Sequence, residues 1–188
     1  MILRTFIAVR VPGSDHLGRL LEDLSKLGRA VRPVPLQNLH LTLYFLGATQ
    51  PDQVSAIANA MEASVAHEGA ITATLRGLGV FPNERRPSVV WVGLADQGRL
   101  STVQKRLRSP LETLGFELSG QLWHPHVTVA RVKRQPPPGF RSVIRDHRHG
   151  RYGVLRVDSL DLLRSQLRPS GAVYSELASV SPGRQGPV

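Results

Sequence analysis

The sequence predicts an α+β fold built on antiparallel or mixed sheets. Three observations carry that prediction. Apolar residues make up 41% and charged residues 20% of 188, a globular composition at the length of one domain. Some segments repeat their apolar residues at helical spacing, while others alternate apolar with polar. The strand-like and helical segments also do not alternate strictly, and several strands follow one another directly as hairpins, unlike the βαβ repeat of a parallel sheet.

Met1 to Val11 is β-rich and closes at Pro12-Gly13. Ser14 caps a helix whose Leu17, Leu20, Leu21, Leu24 and Leu27 form one stripe, and Gly28 stops it. Leu39 to Leu46 alternates, with Leu41, Leu43 and Phe45 expected on one face and His40, Thr42 and Tyr44 on the other; Gly47 is expected to end the strand. Thr49 and Asp52 outline a capping box for a second helix with Val54, Ile57, Met61 and Val65 inward.

Strands over Ala70 to Phe81 and Ser88 to Leu94 form a hairpin through the turn from Pro82 to Pro87. A third helix starts near Gly98, with Leu100, Val103 and Leu107 on one side, and Pro110 interrupts or restarts it. Trp123 to Val132 is the next strand. The stiff loop from Arg134 to Gly139 leads to a short helix near Phe140 to Asp146. Strands near Tyr152 to Val157, Ser159 to Leu167 and Ala172 to Val180 complete a single domain over residues 1–180, and residues 181–188 read as a frayed tail.

The chain has no cysteine, which removes disulfides, thiolate nucleophiles and cysteine-ligated metals. No apolar run approaches the roughly 20 residues of a membrane helix. The first strand contains Arg4 and Arg10 and so does not read as a signal peptide. A cytoplasmic monomer without a membrane partner is expected. The formal charge is +10, and 21 of the 24 cations are arginine. Guanidinium suits bidentate phosphate binding, although a genome rich in G and C raises Arg, Ala, Gly and Pro without functional cause.

One pattern carries chemistry. His40-Leu41-Thr42-Leu43 recurs 86 residues later as His126-Val127-Thr128-Val129. With 7 His and 8 Thr, chance supplies about 0.3 His-x-Thr, and roughly 0.04 with aliphatic residues in both other slots. Residues i and i+2 of a strand share a face, so each copy presents an imidazole and a hydroxyl while its aliphatics anchor the strand. Two imidazoles can accept and donate a proton, and two hydroxyls can bind phosphate oxygens, enough for in-line attack on a phosphodiester without metal. Arg131 lies five residues past His126, on the opposite face unless a bulge re-aims it.

The doubled motif resembles the two-histidine phosphoesterase superfamily, and in particular its RNA 2′,3′-cyclic phosphodiesterases, also called 2′-5′ RNA ligases. Phe6-Ile7-Ala8, Phe45-Leu46-Gly47, Gly79-Val80-Phe81-Pro82, Ala130-Arg131, the stretch Leu163 to Leu167, Gly171 and Tyr174 extend the resemblance from about Leu3 to Val180. It implies a bilobal α+β fold of two antiparallel sheets with flanking helices, related by pseudo-twofold symmetry about a central cleft. It implies His40 as proton donor, His126 as proton acceptor, and Thr42, Thr128 and Arg131 as phosphate ligands. It also implies RNA with 2′,3′-cyclic phosphate ends, or cyclic nucleotides, as substrate, a 2′-phosphate product and no cofactor or metal. Ligation without ATP follows if an RNA 5′-hydroxyl replaces water.

Two other readings compete. His40, His124 and His126 could form a three-histidine metal site, which leaves both threonines without a role. A non-catalytic RNA-binding module would use a basic segment, with Arg145, Arg148 and Arg151 as candidate RNA contacts beside Arg141, His147, His149 and Tyr152. Aromatic residues are only 5%, few for a stacking platform.

Overall fold

The structure, a computed structural model, describes residues 2–169 and 171–183. In chain order it comprises β1 Leu3–Arg10, α1 Asp15–Ser25, β2 Val31–Pro33, β3 His40–Thr49, α2 Val54–Val65, β4 Ile71–Phe81, β5 Val89–Ala95, α3 Arg99–Thr113, β6 His126–Val132, α4 Phe140–His147, β7 Arg151–Val157, β8 Leu160–Arg168 and β9 Gly171–Val180. The α+β architecture is as expected. All pairings are antiparallel, in the order β7-β4-β5-β6-β3-β1-β8-β9, with β2 also beside β6.

That order divides into two halves, β3-β1-β8-β9 and β6-β5-β4-β7, each with its motif strand innermost. They meet at one residue pair, Leu41 with Val127, the first aliphatic of each motif. Helices α1 and α4 pack behind the second half, and α2, with α3 on it, behind β8 and β9. Leu17, Leu20 and Leu24 of α1, Ile57 and Met61 of α2, Leu107 of α3 and Phe140 of α4 join Leu41, Val127 and Val129 in one buried core. The opposite face of the strands is therefore left for the histidines. Among the described residues no helix is long and apolar enough to cross a membrane.

Local chemistry sets the helix ends. The Ser14 hydroxyl accepts from the Leu17 N–H at 3.2 Å and donates to the Tyr152 carbonyl at 2.8 Å, so one cap also ties α1 to β7. The expected Thr49–Asp52 box does not form. Thr49 is still in β3, where its buried hydroxyl bonds that of Thr5 at 2.7 Å. Gln50 and Gln53 make the reciprocal box instead, in a short 3-10 turn ahead of α2. Pro110 neither breaks nor restarts α3, which runs through it to Thr113.

Three strand expectations change. Gly47, at φ +71°, bends β3 without ending it. Strand β6 begins at His126, after Pro125, and not at Trp123. Phe45 and Tyr44 exchange faces: Tyr44 is buried, and Phe45 is 69% exposed. Of the expected tail, Gly183 donates its N–H to the Val65 carbonyl at 3.4 Å, and residues 184–188 lie outside the described residues.

Candidate active site

The Leu41–Val127 pair sits between the His and Thr of both motifs, so the antiparallel sense sets each histidine across from the other copy's threonine. Leu41, Leu43, Val127 and Val129 are buried, while His40, Thr42, His126 and Thr128 are half-buried on the other side. The Trp123 indole N–H spans the seam to the Thr42 carbonyl at 3.0 Å.

Both imidazoles are held in the same way. His40 Nδ1–H donates to the Asn38 carbonyl at 2.7 Å, and His126 Nδ1–H donates to the His124 carbonyl at 2.7 Å. A carbonyl can only accept, so Nδ1 carries hydrogen in each ring. Each Nε2 is then the free nitrogen, a base when the ring is neutral and an acid when it is charged.

Aromatic rings back both histidines. Phe6 and Tyr174 lie 5.0 and 5.2 Å from the His40 ring, between centroids. Phe81 and Trp91 lie 5.1 and 6.4 Å from His126, and Trp91 is 5.0 Å from His124. Gly79 makes this packing possible. A Cβ there would stand 2.2 Å from the Trp91 ring, so only glycine leaves the indole its place against β4.

A bulge in each motif strand decides what else reaches this face. Trp91 pairs with Thr128 and the adjacent Val90 with Ala130, which leaves Val129 as an extra residue in β6. Ala8 pairs with Thr42 and the adjacent Ile7 with Tyr44, which leaves Leu43 extra in β3. One inserted residue inverts the alternation beyond it. Arg131 consequently turns onto the face of His126 and Thr128, the geometric help that its position required. The matching bulge in β3 turns Phe45 outward, 5.9 Å from Phe6 between ring centroids, and sends Tyr44 into the core.

Burial holds the His40 imidazolium below the usual histidine range; the Asn38 carbonyl opposes this, and the charges of Arg131 and His126 push further down. His126 is also lowered, again mainly by burial, with the His124 carbonyl opposing and the His124 charge adding. Neutral imidazoles are thereby favoured at both positions before any anion arrives.

The structure separates the other basic candidates. Arg145 lies on α4, behind the sheet, and contacts Asp146 at 3.6 Å and Ser142 at 3.1 Å. Arg148 is paired with Glu84. Arg151 opens β7, opposite Arg76 of β4, on the histidine side of the sheet. His147 joins α4 to α1 through Asp23 at 3.2 Å. Among the described residues no three His, Asp or Glu side chains come close enough to share a metal ion, so His40, His124 and His126 do not form one. Sequence reasoning missed Asn38, Trp91 and Arg76, and placed Phe45 on the wrong face. Glycine at position 79, inside a strand, was the available signal of a close approach.

Known proteins resemble the chain in both sequence and fold. The sequence pattern of the 2′-5′ RNA ligase superfamily matches residues 14–168. The chain is 31% identical over 177 residues to an RNA 2′,3′-cyclic phosphodiesterase of Archaeoglobus fulgidus, covering 93% of this chain and 98% of that protein. A protein of the same name from Aeropyrum pernix is 33% identical over 175 residues, with 92% and 98% covered. Among solved structures, a Thermus thermophilus protein superposes with a TM-score of 0.80 at 30% identity, covering 98% of this chain and 100% of that one. E. coli LigT complexed with 3′-AMP gives a TM-score of 0.73 at 26% identity, with 96% and 98% covered.

Proposed function

Since the chain belongs to the 2′-5′ RNA ligase superfamily, we propose that it is an RNA 2′,3′-cyclic phosphodiesterase that opens the ring to a 2′-phosphomonoester by metal-independent acid–base catalysis. The observation that carries this reading is the matched pair of imidazoles. Each has its Nδ1–H fixed on a backbone carbonyl, leaving Nε2 free on one shared face.

The cyclic phosphate sits between the two motifs. His126, neutral, takes a proton at Nε2 from the attacking water as its oxygen bonds to phosphorus. The P–O3′ bond breaks, and His40, as imidazolium, gives its Nε2 proton to O3′. The product is a 2′-phosphate with a free 3′-hydroxyl, and exchange with solvent restores both rings. Substrate helps to charge His40, because the bound phosphodiester anion offsets the repulsion of Arg131. The hydroxyls of Thr42 and Thr128 and the Arg131 guanidinium stabilise the non-bridging oxygens as charge builds. An RNA 5′-hydroxyl in the water's position forms a 2′-5′ linkage, since the ring already stores the energy.

The test is incubation with nucleoside 2′,3′-cyclic phosphates in EDTA, with the product isomer read by phosphorus NMR. Formation of the 2′-phosphate under chelation is expected. Activity lost in EDTA and restored by zinc would overturn the metal-free mechanism, and a 3′-phosphate product would reverse the choice of leaving oxygen.

A further inference from the structure

We propose that Arg76 and Arg151 bind the phosphate on the 5′ side of the terminal nucleotide, so that the RNA strand leaves the reaction centre across β5, β4 and β7. This rests on the reading of the substrate as an RNA 2′,3′-cyclic phosphate.

One row of the sheet carries the inference. His126 pairs with Gly93, Gly93 with Arg76, and Arg76 with Arg151. Residues paired across strands share a face, so all four point to the same side. At about 4.8 Å per strand, Arg76 stands about 10 Å from His126 and Arg151 about 14 Å. Gly93 contributes no side chain, and this leaves the floor between His126 and Arg76 open. A Cβ there would lie 3.0 Å from the Arg76 carbonyl oxygen and 3.4 Å from the Trp91 ring.

The two guanidinium groups are held together against their own repulsion. Like charges directly opposite on a sheet destabilise it. Among the described residues neither has a carboxylate within ion-pair distance. The backbone fixes the arrangement: Gly77, at φ +72°, bulges β4 and donates its N–H to the Gly150 carbonyl at 2.8 Å, and Leu78 donates to the Arg148 carbonyl at 3.2 Å. The segment leading into Arg151 is thus docked on β4. A bound anion relieves the repulsion and supplies the missing partner.

The other half of the sheet offers no equivalent. Its Arg10 is engaged by Asp161 at 3.0 Å and by Glu176 at 2.6 Å, and beside it lies the apolar cluster of Phe6, Ala8, Leu163 and Tyr174. Among the described residues no two arginines face each other across the strands of that half. The strand's direction follows from its chemistry. A 2′,3′-cyclic phosphate ends the RNA at its 3′ side, so the chain continues only through O5′, and the next anion is the 5′ phosphate. A nucleoside 2′,3′-cyclic phosphate lacks that group.

The experiment compares kcat/KM for a nucleoside 2′,3′-cyclic phosphate and for a dinucleotide ending in the same cyclic phosphate. In the Arg76→Gln, Arg151→Gln double variant, the dinucleotide-to-mononucleotide ratio should fall about tenfold. The salt dependence for the dinucleotide should flatten by about 0.7 in log–log slope for each phosphate no longer neutralised. Arg76→Lys with Arg151→Lys should keep most of the ratio, and Lys105→Gln on α3 should not alter it. Thermal melting should show the Gln variants no less stable than the parent, since they are relieved of a repulsion. Equal fractional loss on both substrates, or an unchanged ratio in the Gln variants, overturns the track. A parent protein that opens neither substrate removes the premise, and the track with it.

Discussion

Phe45 and Arg131 occupy the same position in the two motif copies, five residues past the histidine and two past the bulged aliphatic. One presents an exposed ring and the other a guanidinium. Equivalent backbone geometry thus sets an aromatic surface at one end of the paired motifs and a charge at the other.

Phe45→Ala should raise KM for nucleoside 2′,3′-cyclic phosphates with little change in kcat. Base–aromatic stacking contributes about 1–3 kcal/mol, so the rise should be roughly tenfold to a hundredfold. Phe45→Trp should retain affinity. Steady-state kinetics settles the point: a fall in kcat at constant KM would mean that the ring supports the catalytic geometry and not the base.

Arg131 lowers the His40 pKa by its charge. Arg131→Gln should therefore let that pKa rise and move the alkaline limb of kcat/KM to higher pH, while KM increases because the phosphate has one cation fewer to bind. Arg131→Lys should leave the limb near its original place. A limb that stays fixed in Arg131→Gln would separate Arg131 from the general acid.

Both histidines are lowered from 6.5, and this fixes the pH window. The rate rises with pH as the base loses its proton and falls as the acid loses its own. The kcat/KM bell of the free enzyme should lie on the acid side of about pH 6.5. The kcat bell should lie higher, because a bound phosphate anion favours imidazolium. The limbs belong to the coupled pair. His40→Ala and His126→Ala should each cost about 10²- to 10⁴-fold. A nitrophenyl leaving group, which needs no proton, should rescue His40→Ala alone; rescue of His126→Ala instead would exchange the roles.

Gly79→Ala tests the packing behind His126. The new Cβ cannot share space with the Trp91 ring, so the indole must move, at a cost of about 1–3 kcal/mol. Denaturant melts should show that loss, and kcat should fall as the support beneath His124 and His126 shifts. Trp91→Leu in the same chain should recover part of the stability, since the smaller side chain clears the space. Failure to recover would place the strain elsewhere.

Much of the fold was legible because its elements are locally encoded. The leucine stripe and Ser14 define α1, and the apolar runs define nearly every strand. The short β2 was not legible: its three residues are held by pairing with β6, a partner about a hundred residues away. The Gln50–Gln53 box was hidden because Thr49 is a stronger cap by residue type, and its hydroxyl was already taken by Thr5.

The doubled motif fixed the candidate His and Thr pairs from sequence alone, since His and Thr two apart on a strand share a face whatever surrounds them. Tertiary structure decided which further residues join them. A single extra residue, Leu43 in one strand and Val129 in the other, shifts the residues just beyond it by half the two-residue period, and a second bulge at Leu46 resets β3. Nothing in the alternation of β3 and β6 marks those bulges, which arise only where each strand is fitted against its neighbour. They bring Phe45 and Arg131 to the histidines and bury Tyr44, and cross-strand register alone lines Arg76 and Arg151 up with His126.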